Sequence, residues 1–262
     1  MKYNQPVLTL VLSGCLFFSY QNPDNLWITE KHKSFNLVYT AGDRKLKKEY
    51  TRLTENGIKE VKKFFSNSFN KKFDVYIHPG RRSLDSTWQK NWGMPDFKSE
   101  CWMVASGVAA RLDLLSPTMW GKEACEHIYS EKDKTQKLIT HELIHVFHGQ
   151  QNASPDFSNT EGIDWFAEGL ATYVSGQCDS SRISEIKKAI TANKIPDGLD
   201  KFWTGKLKYG LSGSVVMYID YKFGRTKLKE LLPYNKKSEI LSTLNTTEGE
   251  LLAGWEKYMR SL

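Results

Sequence analysis

Residues 141–148 read HELIHVFH, three histidines and one glutamate inside an otherwise apolar run. On a helix His141 and His145 stand one turn apart on the same face, so two imidazoles can reach one metal ion while Glu142 sits beside them. A purely structural helix explains the apolar residues, but it leaves Glu142 costly to bury without a partner. The stretch therefore asks for a buried helix with one chemically competent face, and the remaining chain has to wall it in. With 262 residues, 40% of them apolar and 13% aromatic, there is material for a sizeable core.

The chain before this helix reads as strands, and the chain after it reads as helices. Phe35, Leu37 and Tyr39 alternate as on a half-buried strand. Asp43 is placed to cap a helix whose core side carries Leu46, Tyr50, Leu53, Val61 and Phe64. Phe73, Val75 and Ile77 form a second alternating stretch that ends in the turn signal His78-Pro79-Gly80. Residues 85–101, polar and irregular around Trp88, Trp92 and Pro95, are expected to be a long loop, and 103–117 one or two strands closed by Pro117. Helical patterns then cover 130–149, 162–176, 182–193, 212–232 and 247–261, the last with Thr247 and Glu250 at capping-box spacing. Strands first and helices afterwards predict a single α+β domain.

The N-terminus carries an apolar stretch from Val7 to Leu12, well short of the roughly 20 residues needed to span a bilayer. It reads as a secretory leader, and its ending, Leu12-Ser13-Gly14-Cys15, resembles the bacterial lipobox, in which the cysteine becomes lipid-modified and begins the mature chain. The expected organisation is a leader over residues 1–14, a tether over 15–33 and a globular domain over 34–262, anchored to a membrane at Cys15 and facing outside the cytoplasm. Of the other cysteines, Cys101 and Cys125 are the expected disulfide and Cys178 the free thiol. The formal charge of +7 comes from scattered lysine and arginine pairs rather than a basic block, which argues for a solvated surface and against a nucleic-acid partner.

A catalytic zinc site needs a third protein ligand and an open position. The metzincin pattern would put glycine at 148 and histidine at 151, where this chain has His148 and Gln151. Residues 165–173, WFAEGLATY, instead resemble the helix of the gluzincin metallopeptidases that supplies a glutamate ligand, here Glu168. Asp164 is the rival, at a shorter spacing. Together HELIH and WFAEGLATY resemble the peptidase MA-like gluzincins, whose catalytic core is thermolysin-like. SGVAARLDLLSP (residues 106–117) looks like their edge strand, and YGLSGSVVMYIDYKFG (209–224) like the segment bearing their oxyanion-stabilising tyrosine.

The resemblance implies one Zn²⁺ held by His141, His145 and Glu168, with Glu142 as general base, Tyr209 as hydrogen-bond donor to the oxyanion and a peptide or protein as substrate. Tyr218 and Tyr221 are alternative hydroxyls, and His148 is either a partner behind the ligands or exposed. His32, His78 and His127 lie in no motif and are expected to be structural. Gluzincin aminopeptidases carry a GxMEN stretch, and no glutamate occurs between Trp102 and Thr118, which leans away from aminopeptidase action. The alternative function is a lipid-anchored binding or assembly protein that keeps this fold without hydrolysing peptides.

Overall fold

The computed structural model describes residues 26–262, so Cys15 and the expected leader lie outside the described residues. Five strands form one mixed sheet in the order β1-β2-β3-β5-β4. In chain order these are β1 (Ile28–Lys31), β2 (Phe35–Tyr39), β3 (Phe73–His78), β4 (Ala105–Val108) and β5 (Arg111–Leu115). The central strands β2, β3 and β5 run parallel, and β1 and β4 close the two edges antiparallel. β1 falls in the span assigned to the tether. Its residues ITEK carry one apolar side chain, too little alternation to read as a strand, and it is held by main-chain pairing and by Glu30, which accepts from the Tyr39 hydroxyl at 2.7 Å.

Between β2 and β3 the chain crosses over through α1 (Lys47–Phe65), which buries Tyr50, Leu53, Ile58, Val61 and Phe65. Asp43 does not cap this helix. It is buried in a 3-10 turn over Ala41–Leu46 and accepts hydrogen bonds from the Tyr50 hydroxyl (2.7 Å) and Ser116 Oγ (2.6 Å), fastening the start of α1 to the end of β5. An acidic residue ahead of a helix looks the same in sequence whether it faces free amides or the core.

The expected loop over 85–101 is half helix: α2 spans Arg81–Trp92. Its apolar stripe is only one residue wide, with Leu84 and Trp88 buried four positions apart and Trp92 stacked on Trp88 at 5.0 Å, so the polar remainder masks the period. Gly93 ends it at φ +65°, a left-handed conformation that favours glycine. The next stretch is stapled by the disulfide Cys101–Cys125 and by Arg81, which donates to the Glu100, Cys101, Met103 and Glu123 carbonyls.

After the one-turn α3 (Trp120–Glu123) the chain is helical: α4 (Lys132–Gly149), α5 (Asp164–Val174), α6 (Ser180–Thr191), α7 (Lys208–Glu230), α8 (Lys237–Thr243) and α9 (Glu248–Ser261). The α+β order read from the sequence is the order of the fold. At α9 the capping box forms, with Thr247 Oγ1 accepting from the Glu250 amide at 3.2 Å and Glu250 accepting from the Thr247 amide at 2.8 Å. α7 starts four residues earlier than its pattern suggests, and Gly224 breaks it at φ +83°. Among the described residues no helix is long and apolar enough to cross a membrane.

α4 is buried continuously from Ile139 to Gly149, packed against α1, α5 and the edge strand β4. Glycine allows this approach. A Cβ on Gly107 of β4 would fall inside the radius of the Glu142 carbonyl oxygen and 3.0 Å from the Cβ of His145. Both obstacles belong to the helix itself and cannot rotate away. Gly107→Val is therefore expected to cost about 3 kcal/mol or more, the upper end for overpacking. In thermal unfolding that is a fall of roughly 6–12 °C for a domain of this size. Gly249→Ala, where a Cβ meets nothing within 4 Å, should leave the midpoint close to that of the parent.

Candidate metal centre

Two helices bring the donors together. His141 and His145 project from α4 and Glu168 from α5, and one ligand atom of each lies within 4.8 Å of the others. The two Nε2 atoms are 3.1 Å apart, and Glu168 Oε2 is 3.3 Å from that of His141 and 3.6 Å from that of His145. α5 is held in place by a close approach to α7, since a Cβ on Gly169 would collide with the Ser212 carbonyl. Asp164, one turn earlier on α5, is not in the cluster. Burial and the neighbouring Glu168 push its carboxyl upward.

The charges around the cluster are strongly coupled. Burial works against an ionised Glu168, yet His145 and His141 outweigh it and hold the carboxyl well below its usual range. Burial equally disfavours a charged His145, and Glu168 and Glu142 overcome it, raising the imidazole. Glu142 is shifted upward, chiefly by burial, with His141 and His145 acting against that rise.

Gln177, in the turn after α5, accepts from His141 Nδ1 at 2.9 Å. That bond puts the ring hydrogen on Nδ1 and turns the Nε2 lone pair toward the cluster. His145 Nε2, 3.1 Å away, and the Glu168 carboxylate face the same point, where a cation can take the place of the proton they share. Two imidazole nitrogens and one carboxylate oxygen suit zinc in a site with an open position, so the residues present fit one metal ion.

Tyr209 occupies the first turn of α7, its ring centroid 6.3 Å from that of His141. Burial first, then Glu168 and Glu142, raise its hydroxyl and keep it protonated as a donor. The rival tyrosines are elsewhere: Tyr218 has its hydroxyl packed on Gly254 of α9, and Tyr221 is exposed and stacked on Tyr258. His148 is fully buried rather than exposed, packed against Phe157 and Phe166, and burial takes its pKa down to about 3, so it is a neutral packing residue. Its Nε2 lies 3.3 Å from Asn152 Nδ2. His32 stacks on Phe35, and His127 bonds the Trp102 carbonyl at 3.0 Å.

Two neighbours of the cluster carry no signal in the sequence. Gln177 is one glutamine in a turn, and Phe157, 6.1 Å from His145 between ring centroids, lies in the polar segment that links α4 and α5. A metal-ligating histidine needs a hydrogen-bond partner for its other nitrogen, and the turn after α5 is near enough to supply one; that need is the only clue to Gln177.

Fold and site together define an α+β protein whose two central helices present a His-His-Glu cluster able to hold one metal ion. No protein-family model matches the chain, and no curated protein sequence matches it. Among solved structures it is similar to native yeast LTA4 hydrolase, with a TM-score of 0.49 and 12% identity over 90% of this chain. The matched region is 38% of the hydrolase chain.

Proposed function

We propose that the protein is a zinc-dependent peptidase of the gluzincin type, held at a membrane outside the cytoplasm by a lipid on Cys15. The peptidase part of this reading is carried by the convergence of His141, His145 and Glu168 from two helices onto one point, with ligand atoms within 4.8 Å; the anchor is proposed from the Leu12-Ser13-Gly14-Cys15 sequence alone. Zinc in such a site lowers the pKa of a coordinated water toward neutrality and polarises a carbonyl. The chain's own groups supply the rest. Glu142, 7% exposed and raised by burial, takes the proton from the attacking water and hands it to the leaving amine. Tyr209, protonated and beside His141, donates to the developing oxyanion. Gln177 keeps His141 in the ligating tautomer. The lack of a GxMEN stretch favours cleavage within chains over removal of N-terminal residues.

The test is hydrolysis of an unfolded protein such as reduced casein, before and after treatment with 1,10-phenanthroline. Activity that disappears with the chelator and returns with zinc is the expected result. Hydrolysis indifferent to the chelator refutes the reading. A protein that binds one zinc and cleaves nothing would instead be the lipid-anchored binding protein.

A further inference from the structure

The sheet carries a second constellation where it meets α2, built from residues that the metal centre does not use. A cavity of about 330 Å³ lies there, lined by Trp27, Tyr76, His78, Ser83, Lys90 and Arg111 among others. His78, expected to be merely structural, is wholly buried with both ring nitrogens engaged. Its Nε2 is 2.8 Å from Asp113 Oδ1, and its Nδ1 is 3.1 Å from Ser83 Oγ. An ionised carboxylate only accepts, so the ring hydrogen is on Nε2. In the neutral ring Nδ1 then presents its lone pair, and the Ser83 hydroxyl donates to it.

Asp113 is itself 2% exposed and is gripped by Arg111, whose Nε lies 3.1 Å from the same oxygen. Register does the positioning: Tyr76 pairs with Asp113, and His78 lies two residues further along β3, so all three side chains share one face of the sheet. The guanidinium of Arg111 also stacks on the Tyr76 ring at 4.1 Å, and Trp27 meets Tyr76 and His78 edge-on at 5.6 and 5.5 Å. A hydroxyl, an imidazole and a carboxylate in hydrogen-bonded series, with the hydroxyl on a cavity wall, form a base-activated nucleophile. Among the described residues the lining includes two cations, Lys90 and Arg111, and no carboxylate.

We propose that Ser83 is a nucleophile, activated by His78 and oriented through Asp113, that cleaves small carboxylic esters bearing an anionic group. Ser83 Oγ forms a bond to the acyl carbon as its proton passes to His78 Nδ1. The ester C–O bond breaks, and the leaving alkoxide takes that proton from His78. Water then attacks the acyl-serine, giving a proton to His78 and releasing the carboxylic acid, while Ser83 Oγ recovers the proton. Lys90 and Arg111 select the anionic group, and Trp27 and Tyr76 wall its carbon skeleton.

The experiment uses the full chain with 1,10-phenanthroline present throughout, so that zinc-dependent ester hydrolysis contributes nothing. Diisopropyl fluorophosphate should form one adduct, mapped by mass spectrometry to Ser83 and absent from Ser83→Ala. A folded His78→Gln variant should label about a hundredfold more slowly or worse, as expected on losing a general base. Asp113→Asn serves the same comparison if His78→Gln does not fold. The parent should also hydrolyse 4-nitrophenyl hemisuccinate faster than 4-nitrophenyl acetate, with Lys90→Ala reducing the preference. No adduct on Ser83, or labelling of a folded His78→Gln or Asp113→Asn at the parental rate, overturns the proposal. Neither result bears on the metallopeptidase reading, which the chelator-sensitive casein assay decides separately.

Discussion

Glu142→Gln is expected to bind zinc as the parent does and to hydrolyse peptides at least about a hundredfold more slowly, the usual scale for a lost general base. The substitution keeps the size of the side chain and removes its ability to take a proton. The three donors are untouched, because Glu142 is not one of the clustered ligands. Buried glutamine is also easier to accommodate than a buried carboxylate whose ionised form is disfavoured, so stability should hold or rise. Metal content and peptide hydrolysis measured on one preparation separate the two roles. A variant as active as the parent would remove Glu142 from the mechanism. Loss of metal along with activity would mean that it supports the ligands rather than the water.

Glu168→Ala gives the opposite pattern, with loss of the zinc and of activity together. Removing a partner one step behind a ligand costs about 10–100-fold in metal affinity, and removing a donor atom costs more. Two imidazoles four residues apart remain, a pair that any helical surface can offer, without the carboxylate that balances the ion's charge. Dialysis against zinc and then elemental analysis should find close to one zinc per chain in the parent and far less in the variant. Asp164→Ala is the matched control. It deletes the rival carboxylate from the same helix and should leave the stoichiometry unchanged, since Asp164 stands outside the cluster. Retention by Glu168→Ala and loss by Asp164→Ala would reverse the assignment.

The residues of the candidate site are readable in the sequence to the extent that helix geometry is periodic. His141 and His145 are one turn apart on any helix, so their adjacency comes from spacing alone, and the length and apolar content of 130–149 make that helix. Glu168 needs local likeness as well as spacing, because the seat of α5 depends on its packing, including the close approach of Gly169 to Ser212 of α7, rather than on the number of residues in the loop. Gln177 is out of reach: a side chain meeting another 36 positions away leaves no trace in either neighbourhood. The same holds for Ser83, His78 and Asp113, joined only by strand register and the start of α2. The fold is legible where alternation or a wide apolar face exists, as in β2, β3, α1 and α9. It is hidden where an element is short or its stripe one residue wide, as in β1, α8 and α2.

The tight seat of α4 against β4 bears on how sequences of this kind would look across many species. Gly107 lends no electrons, moves no proton and touches no substrate, yet any side chain there meets the main chain of the helix that carries two donors. Selection would preserve it as strictly as His141. A survey that ranks positions by invariance would place the two side by side, and only the coordinates distinguish a residue kept for what it does from one kept for the methyl group it lacks.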